Sequence, residues 1–456
     1  MPDSPILNEA ILEGIHMGQP TSNISRTLNG FSSVVVGGDT YWWSADRHLL
    51  HIDVWVPMSS AAQTATFSLT GSDWGMALLR FAGNAKAVIN DSATGSGRYI
   101  EHVALSNAGG NSVTLNKTTV AVITGSSGAD KITIGSTFVG ALHLGTGNDT
   151  VVTKAGYVET INVGDGNNNV TVGKGGAGVI LAGRDQDRIT VNGDVDSILA
   201  GHGDDTIKAG KGWVGTIDAD RGNDAVILGS GGAGYISLGR DSDLIKVSRL
   251  ADKSMTVVID GGSRVSSPSN KDSDTIDFSA FTTKMTVALS GTYTVQTGHG
   301  NFLIRNFENA TGGKGNDVLI GDDENNILRG GAGRDTLIGG KGADDLYGGK
   351  GADTFVFKSV TELSKSKGQT DSIFDFSRKE KDLIDFSGID ANTAKKGNQA
   401  FDFIGTDSFS KTAGELRYVK ERADTYVYGD VNGDGKADFV LHIDNIVNFK
   451  AGDFIL

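Results

Sequence analysis

The sequence predicts an all-β protein built around a parallel β-roll or β-solenoid, with a β-rich N-terminal domain or cap and a β-rich C-terminal domain. Three observations predict it. Glycine is abundant and proline scarce, with 65 Gly and 5 Pro in 456 residues. Since glycine averages roughly 7% of a protein, this signals many tight turns between regular elements rather than a linker or collagen. Aliphatic residues recur in two registered ladders. Between the ladders sits a turn made of Gly, Asp and Asn.

The first ladder is Ile123, Leu142, Ile161, Ile180, Ile198, Ile217 and Ile236, with steps of 19, 19, 19, 18, 19 and 19 residues. Nine residues after each comes Ile132, Val151, Val170, Ile189, Ile207, Val226 or Ile245. The intervening turns (SSGAD, GTGND, GDGNN, GRDQD, GHGDD, DRGND, GRDSD) end in Asp130, Asp149, Asn168, Asp187, Asp205, Asp224 and Asp243. Two short strands and two turns per coil explain the spacing. Stacking coils at about 4.8 Å turns each ladder into a column of touching apolar side chains. One coil cannot bury its own face, so the array stands or falls together.

A tighter repeat runs from Gly312 to Val356 as five nonapeptides, GGKGNDVLI, GDDENNILR, GGAGRDTLI, GGKGADDLY and GGKGADTFV. The eighth positions are Leu319, Leu328, Leu337, Leu346 and Phe355, and the sixth are Asp317, Asn326, Asp335, Asp344 and Asp353. These patterns divide the chain into 1–120, a β-rich N-terminal domain or cap of unassigned role; 121–260, the coils of about 19 residues; 261–311, a bridging segment; 312–358, the nonapeptide roll; and 359–456, a C-terminal β-rich domain. Four of the five Trp (Trp42, Trp43, Trp55 and Trp74) fall in the first part, where HIDVWV and TFSLTG alternate apolar and polar residues. In the bridge, SSPSNKDSD reads as a surface loop and DTIDFSAF as a strand re-entering the stack.

A net charge of −14 argues against nucleic acid and anionic membranes. With no cysteine, disulfides cannot hold the chain together, and metal is a common substitute. The segment MPDSPILNEAILEGIH lacks the basic and apolar regions of a secretory signal peptide. No window approaches 18 consecutive apolar residues, so no transmembrane helix is expected.

Acidic turns with glycine-freed carbonyls suit a hard cation that takes roughly 6–8 oxygen ligands, and two stacked turns can supply them. Several Ca2+ ions are therefore expected. The candidate residues are Gly313, Gly315, Asp317, Gly331, Gly333, Asp335, Gly340, Gly342, Asp344, Gly349, Gly351 and Asp353. Turns on one edge recur every 18 residues, so Asp317, Asp335 and Asp353 share an edge and Asp344 lies on the other. The turn at 321 has lost its second Gly to Asp322 and its Asp to Asn326, which weakens that column. In the longer coils, Asp130, Asp149, Asp187, Asp205, Asp224 and Asp243 either bind further calcium or hydrogen-bond neighbouring backbone. In DVNGDGKAD, residues Asp430, Asn432, Asp434 and Asp438 match the first half of an EF-hand loop, but the twelfth position is Leu441. The other reading of that loop is an Asx-rich hairpin turn.

The five nonapeptides resemble the RTX family of hemolysin-type calcium-binding repeats. GGKGADTFVFKSV and IFDFSRKEKDLIDFSGIDA resemble the C-terminal domain of serralysin-type secreted proteases, a likeness that extends to the last residue. The terminal Asp453-Phe454-Ile455-Leu456 is similar to the uncleaved export signal of such type I substrates. The resemblance implies a bacterial, secreted protein, extracellular or loosely attached to the cell surface, with the type I secretion apparatus as partner.

The protease identity does not carry over, because none of the eight histidines begins H-E-x-x-H, and no G-x-S-x-G occurs. Two G-x-G-x-x-G matches, at 173–178 and 229–234, fall at repeat turns with no helix after them. His48 and His51 read as surface histidines on opposite faces of a strand. Arg184, His202, Arg221 and Arg240 hold one turn position on successive coils, which reads first as a solvated charge ladder and second as a grip for acidic polysaccharide. The expected function is a non-enzymatic, calcium-binding extracellular protein of adhesion, matrix or surface assembly, with extracellular polysaccharide or the cell surface as further partner. A lyase- or epimerase-type polysaccharide enzyme is the alternative, and a toxin or bacteriocin ranks below both.

Overall fold

The computed structural model describes the backbone of seven strands between Ile24 and Asp91, and residues 99–106, 108–262 and 272–456 with their side chains. Residues 1–23, Trp74, most of the SSPSNKDSD loop and the side chains of Trp42, Trp43, His51 and Trp55 lie outside the described set. The chain forms two units, Met1–Arg221 and Gly222–Leu456.

In the first unit, one parallel sheet stacks Ile100–Leu105, Val120–Thr124, Phe138–His143, Tyr157–Asn162, Ala177–Arg184, Val195–His202 and Val214–Asp218. A second stacks Ser112–Leu115, Lys131–Ile134, Thr150–Thr153, Asn169–Val172, Arg188–Val191 and Thr206–Ala209. Register follows the aliphatic ladders: Ile123 lies beside Leu142, then Ile161, Ile180, Ile198 and Ile217. Ile132 lies beside Val151, Val170, Ile189 and Ile207 in turn. All are fully buried. A one-residue slip would turn every one of them to solvent, so the pattern pins the register. Parallel pairing begins upstream of the boundary expected at 120, since Ile100–Leu105 and Ser112–Leu115 already belong to the two sheets.

The second unit repeats this principle with three sheets. Val226, Ile245, Ile276, Ala310, Leu328, Leu346 and Ile373 form one buried column. Val287, Leu319, Leu337, Phe355, Ile384 and Phe454 form another. Thr275–Asp277 pairs parallel with both Leu244–Val247 and Asn309–Thr311, so DTIDFSAF is a coil of the stack. Ile236, Ile259 and Ile304 continue the third sheet, which ends in the antiparallel hairpin Thr292–Gln296 with Asn301–Arg305. Beyond residue 359 the strands Glu415–Glu421, Asp424–Asp430 and Phe439–Ile443 pair antiparallel. Phe386 packs between Phe357, Phe439 and Phe454. The terminal strand Phe454–Ile455 pairs with Leu383–Asp385, and Arg378 clamps Asp453 at 2.7 Å.

Turn geometry explains the glycines. Gly351 has φ +136°, and a Cβ there would stand 1.6 Å from the Gly333 carbonyl oxygen. Where the longer coils replace a turn Gly, Asp185 and Asp241 hold the same left-handed conformation at φ 76° and 81°, which Asp and Asn tolerate better than other residues. Among the described residues no helix is long and apolar enough to cross a membrane.

Candidate metal sites in the acidic turns

The sixth-position acids are buried because each sits two residues before an inward strand position, on the same side as it, at the corner where one coil meets the next. Each carboxylate has one oxygen committed. In the first unit the backbone N–H of Asn111 donates to Asp130 Oδ1 (2.6 Å), Asp130 to Asp149 (2.7 Å), Asp149 to Asn168 (2.9 Å), Asn168 to Asp187 (2.8 Å) and Asp187 to Asp205 (2.7 Å). In the second unit Met285 donates to Asp317, Asp317 to Asp335, and Asp335 to Asp353. On the other edge Asn326 donates to Asp344. The two edges assigned from 18-residue spacing are thus two separate ladders. Asp224 and Asp243 form a further ladder.

The second carboxylate oxygen is the informative one. Asp317 Oδ2 accepts from Gly313 N–H at 2.7 Å, and Asp130 Oδ2 from Ser126 N–H at 3.1 Å. By contrast, Oδ2 of Asp149, Asp187, Asp335, Asp344, Asp353 and Asp371 is buried with no hydrogen-bond partner. A buried, unpartnered carboxylate oxygen is costly and calls for an ion. The turn is shaped around it: a Cβ on Gly348 would lie 2.6 Å from Asp353 Oδ2, and one on Gly330 2.7 Å from Asp335 Oδ2. Gly331, Gly333, Gly340, Gly342, Gly349 and Gly351 all adopt positive φ, whereas Gly313 and Gly315 do not and instead abut the backbone of Phe281 and Thr283.

Burial without a counter-charge pushes the Asp149, Asp187, Asp205, Asp335 and Asp344 carboxyls up to about 7, and Asp371 up to about 8. Asp130, Asp317 and Asp353 move the same way for the same reason. The donated backbone N–H opposes the shift, but desolvation outweighs it.

The turns that carry Asn show what the acids lack. Asn168 Nδ2 donates to the carbonyls of Gly164 (2.9 Å) and Gly166 (2.7 Å) in its own turn. Asn326 Nδ2 donates to Glu308 O (2.8 Å) and Asp322 Oδ1 (3.2 Å). The amide supplies positive hydrogens to a ring of oxygens. A carboxylate in that position faces acceptors with another acceptor, and near neutral pH a bound cation or a captured proton is what reconciles them.

Several participants escaped the sequence reading. Asp344 N–H donates to Asp371, Asp353 N–H to Asp382, and Asp243 N–H to Asp274, whose carboxyl burial pushes up to about 9. Asp375 accepts from both Gly348 and Gly349 N–H. A signal existed: Asp274-Thr-Ile, Asp371-Ser-Ile and Asp382-Leu-Ile repeat the Asp335-Thr-Leu spacing without its glycines. A fifth-position Asn adds one rung on each edge, Asn316 accepting from Arg334 N–H and Asn325 from Ala343 N–H.

The EF-hand-like loop differs. Both Asp430 oxygens accept backbone N–H groups, from Gly433 (2.7 Å) and Gly435 (2.8 Å). Asp438 accepts from Val431 N–H, Asn432 Nδ2 and the Lys365 ammonium. Asn432 and Asp434 accept from the N–H groups two residues on. These accepted bonds give the loop the donor pattern of Asx turns, in contrast to the buried, unpartnered oxygens of the stacked turns. In the first unit, Arg184, His202 and Arg221 do lie side by side, with His202 Nε2 3.6 Å from Asp220, all in a solvated row.

The fold and these turns define a parallel β-solenoid with buried, unpartnered carboxylate oxygens at its corners. Residues 265–456 match the family described as peptidase M10 serralysin C terminal, and residues 181–212 match the RTX calcium-binding nonapeptide repeat (four copies). The chain carries RTX calcium-binding repeats and a serralysin C-terminal domain. The repeat match falls on the 19-residue coils, and the C-terminal match begins upstream of Gly312. No curated protein matches the chain.

Proposed function

We propose that this chain is a bacterial extracellular scaffold, exported through a type I secretion apparatus, folded by calcium outside the cell, and acting by binding rather than catalysis in adhesion, matrix or surface assembly. The observation that carries it is the ladder of buried carboxylates with one committed and one unpartnered oxygen. Asp335 and Asp353 with the Gly331, Gly333, Gly349 and Gly351 turns, and Asp344 with Gly340 and Gly342, would hold the ions, and Asp317 begins the same column. Bound calcium supplies the positive charge that lets these acids ionise while buried. Without it the turns repel one another, which suits a chain threaded unfolded from a low-calcium cytosol.

A polysaccharide partner has its own support in the first unit. Phe138, Tyr157 and Trp213 each precede a residue of one register column, and are 42%, 37% and 43% exposed. Phe138 and Tyr157 stack at 6.1 Å. The exposed Phe138–Tyr157 pair suits sugar faces, with Trp213 farther along the column beyond Gly176 and Asp194, and this favours the column over the arginine row as the sugar-binding face.

Calcium titration of the full chain, followed by circular dichroism and calorimetry, tests the central reading. Cooperative gain of β-structure with several ions bound is the expected result. A chain fully folded in EDTA that binds no calcium would overturn it.

A further inference from the structure

Beside the Asp371 corner, but on other side chains, the second unit gathers a mixed nitrogen and oxygen donor set. His442 lies in Phe439–Ile443, and its cross-strand partner is Tyr426 in Asp424–Asp430. Side chains alternate along a strand, so Asp424 and Tyr426 share a face, the pairing puts His442 on that face, and Asp444 follows just past the end of its strand. One donor atom each from Asp424, His442 and Asp444 lie within 4.8 Å of one another. His442 Nε2 is 3.7 Å from Asp424 Oδ1, too long for a hydrogen bond, and is buried with no hydrogen-bond partner.

The rest of the imidazole is held. Its Nδ1 is 2.9 Å from Ser372 Oγ, on the parallel strand beside it. Its ring stacks on Tyr426 at 5.0 Å. The strand beneath is anchored by Phe439, Leu441 and Ile443, all fully buried. A histidine with one nitrogen fixed by the Ser372 hydroxyl and the other aimed at two carboxylates is arranged as a metal ligand usually is.

We propose that Asp424, His442 and Asp444 form a site for one divalent transition-metal ion of the zinc type, separate from the calcium turns. The donor chemistry selects the class: imidazole nitrogen with carboxylate oxygen suits zinc and its neighbours, while calcium takes oxygen throughout. A tetrahedral ion with bonds of ~2.0–2.1 Å needs its ligands ~3.3 Å apart, so the 3.7 Å pair needs only a small closure. Two carboxylates balance a dication. Three protein ligands leave one position open to water or an outside donor. Asp424 and Asp444 sit toward solvent, which provides the entry path.

The test is a zinc titration of the full chain in saturating calcium, by calorimetry, with cobalt absorption as a second readout. One equivalent of Zn2+ and a cobalt d–d spectrum are expected. His442→Ala should abolish both. Asp444→Asn, an exposed change that spares the fold, should weaken binding at least ~10-fold with calcium-induced circular dichroism unchanged. A wild-type chain with no stoichiometric zinc site in calcium, an Asp444→Asn variant binding as tightly as wild type, or a His442→Ala variant that keeps the equivalent would each overturn the proposal.

Discussion

Between residues 111 and 205 a single ladder of acids and Asn runs along one edge of the coils. Between residues 317 and 382 ladders run along both edges, through Asp317, Asp335, Asp353 and Asp382 on one and Asn326, Asp344 and Asp371 on the other. The longer coils close their second edge with backbone hydrogen bonds, such as Lys154 N–H to Ile134 O and Asn192 N–H to Val172 O, and with scattered side-chain acceptors, Thr153 Oγ1 for Gly173 N–H and Asp194 Oδ1 for Trp213 N–H. Each region has one amide at a corner, Asn168 in the longer coils and Asn326 in the nonapeptide roll. The comparison teaches that turn chemistry sets how far a solenoid depends on a cation. An acid at every corner needs many counter-charges, and an amide or a backbone-closed corner needs none.

The largest expected effect of that difference is regional. In EDTA, amide exchange should rise sharply across 312–385 while residues 131–209 keep most of their protection. Equal loss of protection in both would break the comparison. Core truncation sharpens it. Leu337 and Ile189 are both fully buried ladder residues, and each Leu- or Ile-to-Ala change should cost about 2–5 kcal/mol. Leu337→Ala should show that cost only in calcium, and Ile189→Ala with or without it, in chemical denaturation of the full chain.

A pH effect of intermediate size follows from the raised carboxyls. Unfolded Asp titrates near ~3.9, and Asp335, Asp344 and Asp371 titrate at about 7, 7 and 8 in the fold. A raised acid contributes stability that is complete below the unfolded value and is lost as pH rises through the folded one. In EDTA the melting temperature of the second unit should therefore fall between pH 5 and 8, and calcium should flatten that slope. A melting temperature that rises over this range in EDTA would contradict the reading.

The smallest expected effect is local. Asn168→Asp removes the amide that donates to Gly164 and Gly166. It should destabilise the first unit by about 1–3 kcal/mol in EDTA and raise the bound calcium count. Calorimetry that finds no added calcium would show that the amide is not standing in for an ion.

Much of this was legible because a period-9 turn and a period-18 or period-19 coil leave repeated marks. The ladder residues from Ile123 to Ile245, the two edges of the nonapeptide roll, and the weakened 321 turn could all be placed from spacing. Asp371, Asp382 and Asp274 were harder to find, because insertions separate them from the preceding coil and they lack the glycines that flag a turn. The DVNGDGKAD loop has the composition of a calcium loop, yet its oxygens are engaged by the hairpin's own N–H groups and by Lys365, 73 residues away in sequence.

By itself the sequence determined the all-β solenoid, its register and the chemistry of its corners, because stacking identical coils makes each position touch its own repeat. Only the tertiary structure decided which carboxylate oxygens remain unpartnered, and that Asp424, His442, Asp444 and Ser372 come together. Those contacts join residues about 20 to 70 positions apart with no repeat between them, so no spacing rule could announce them.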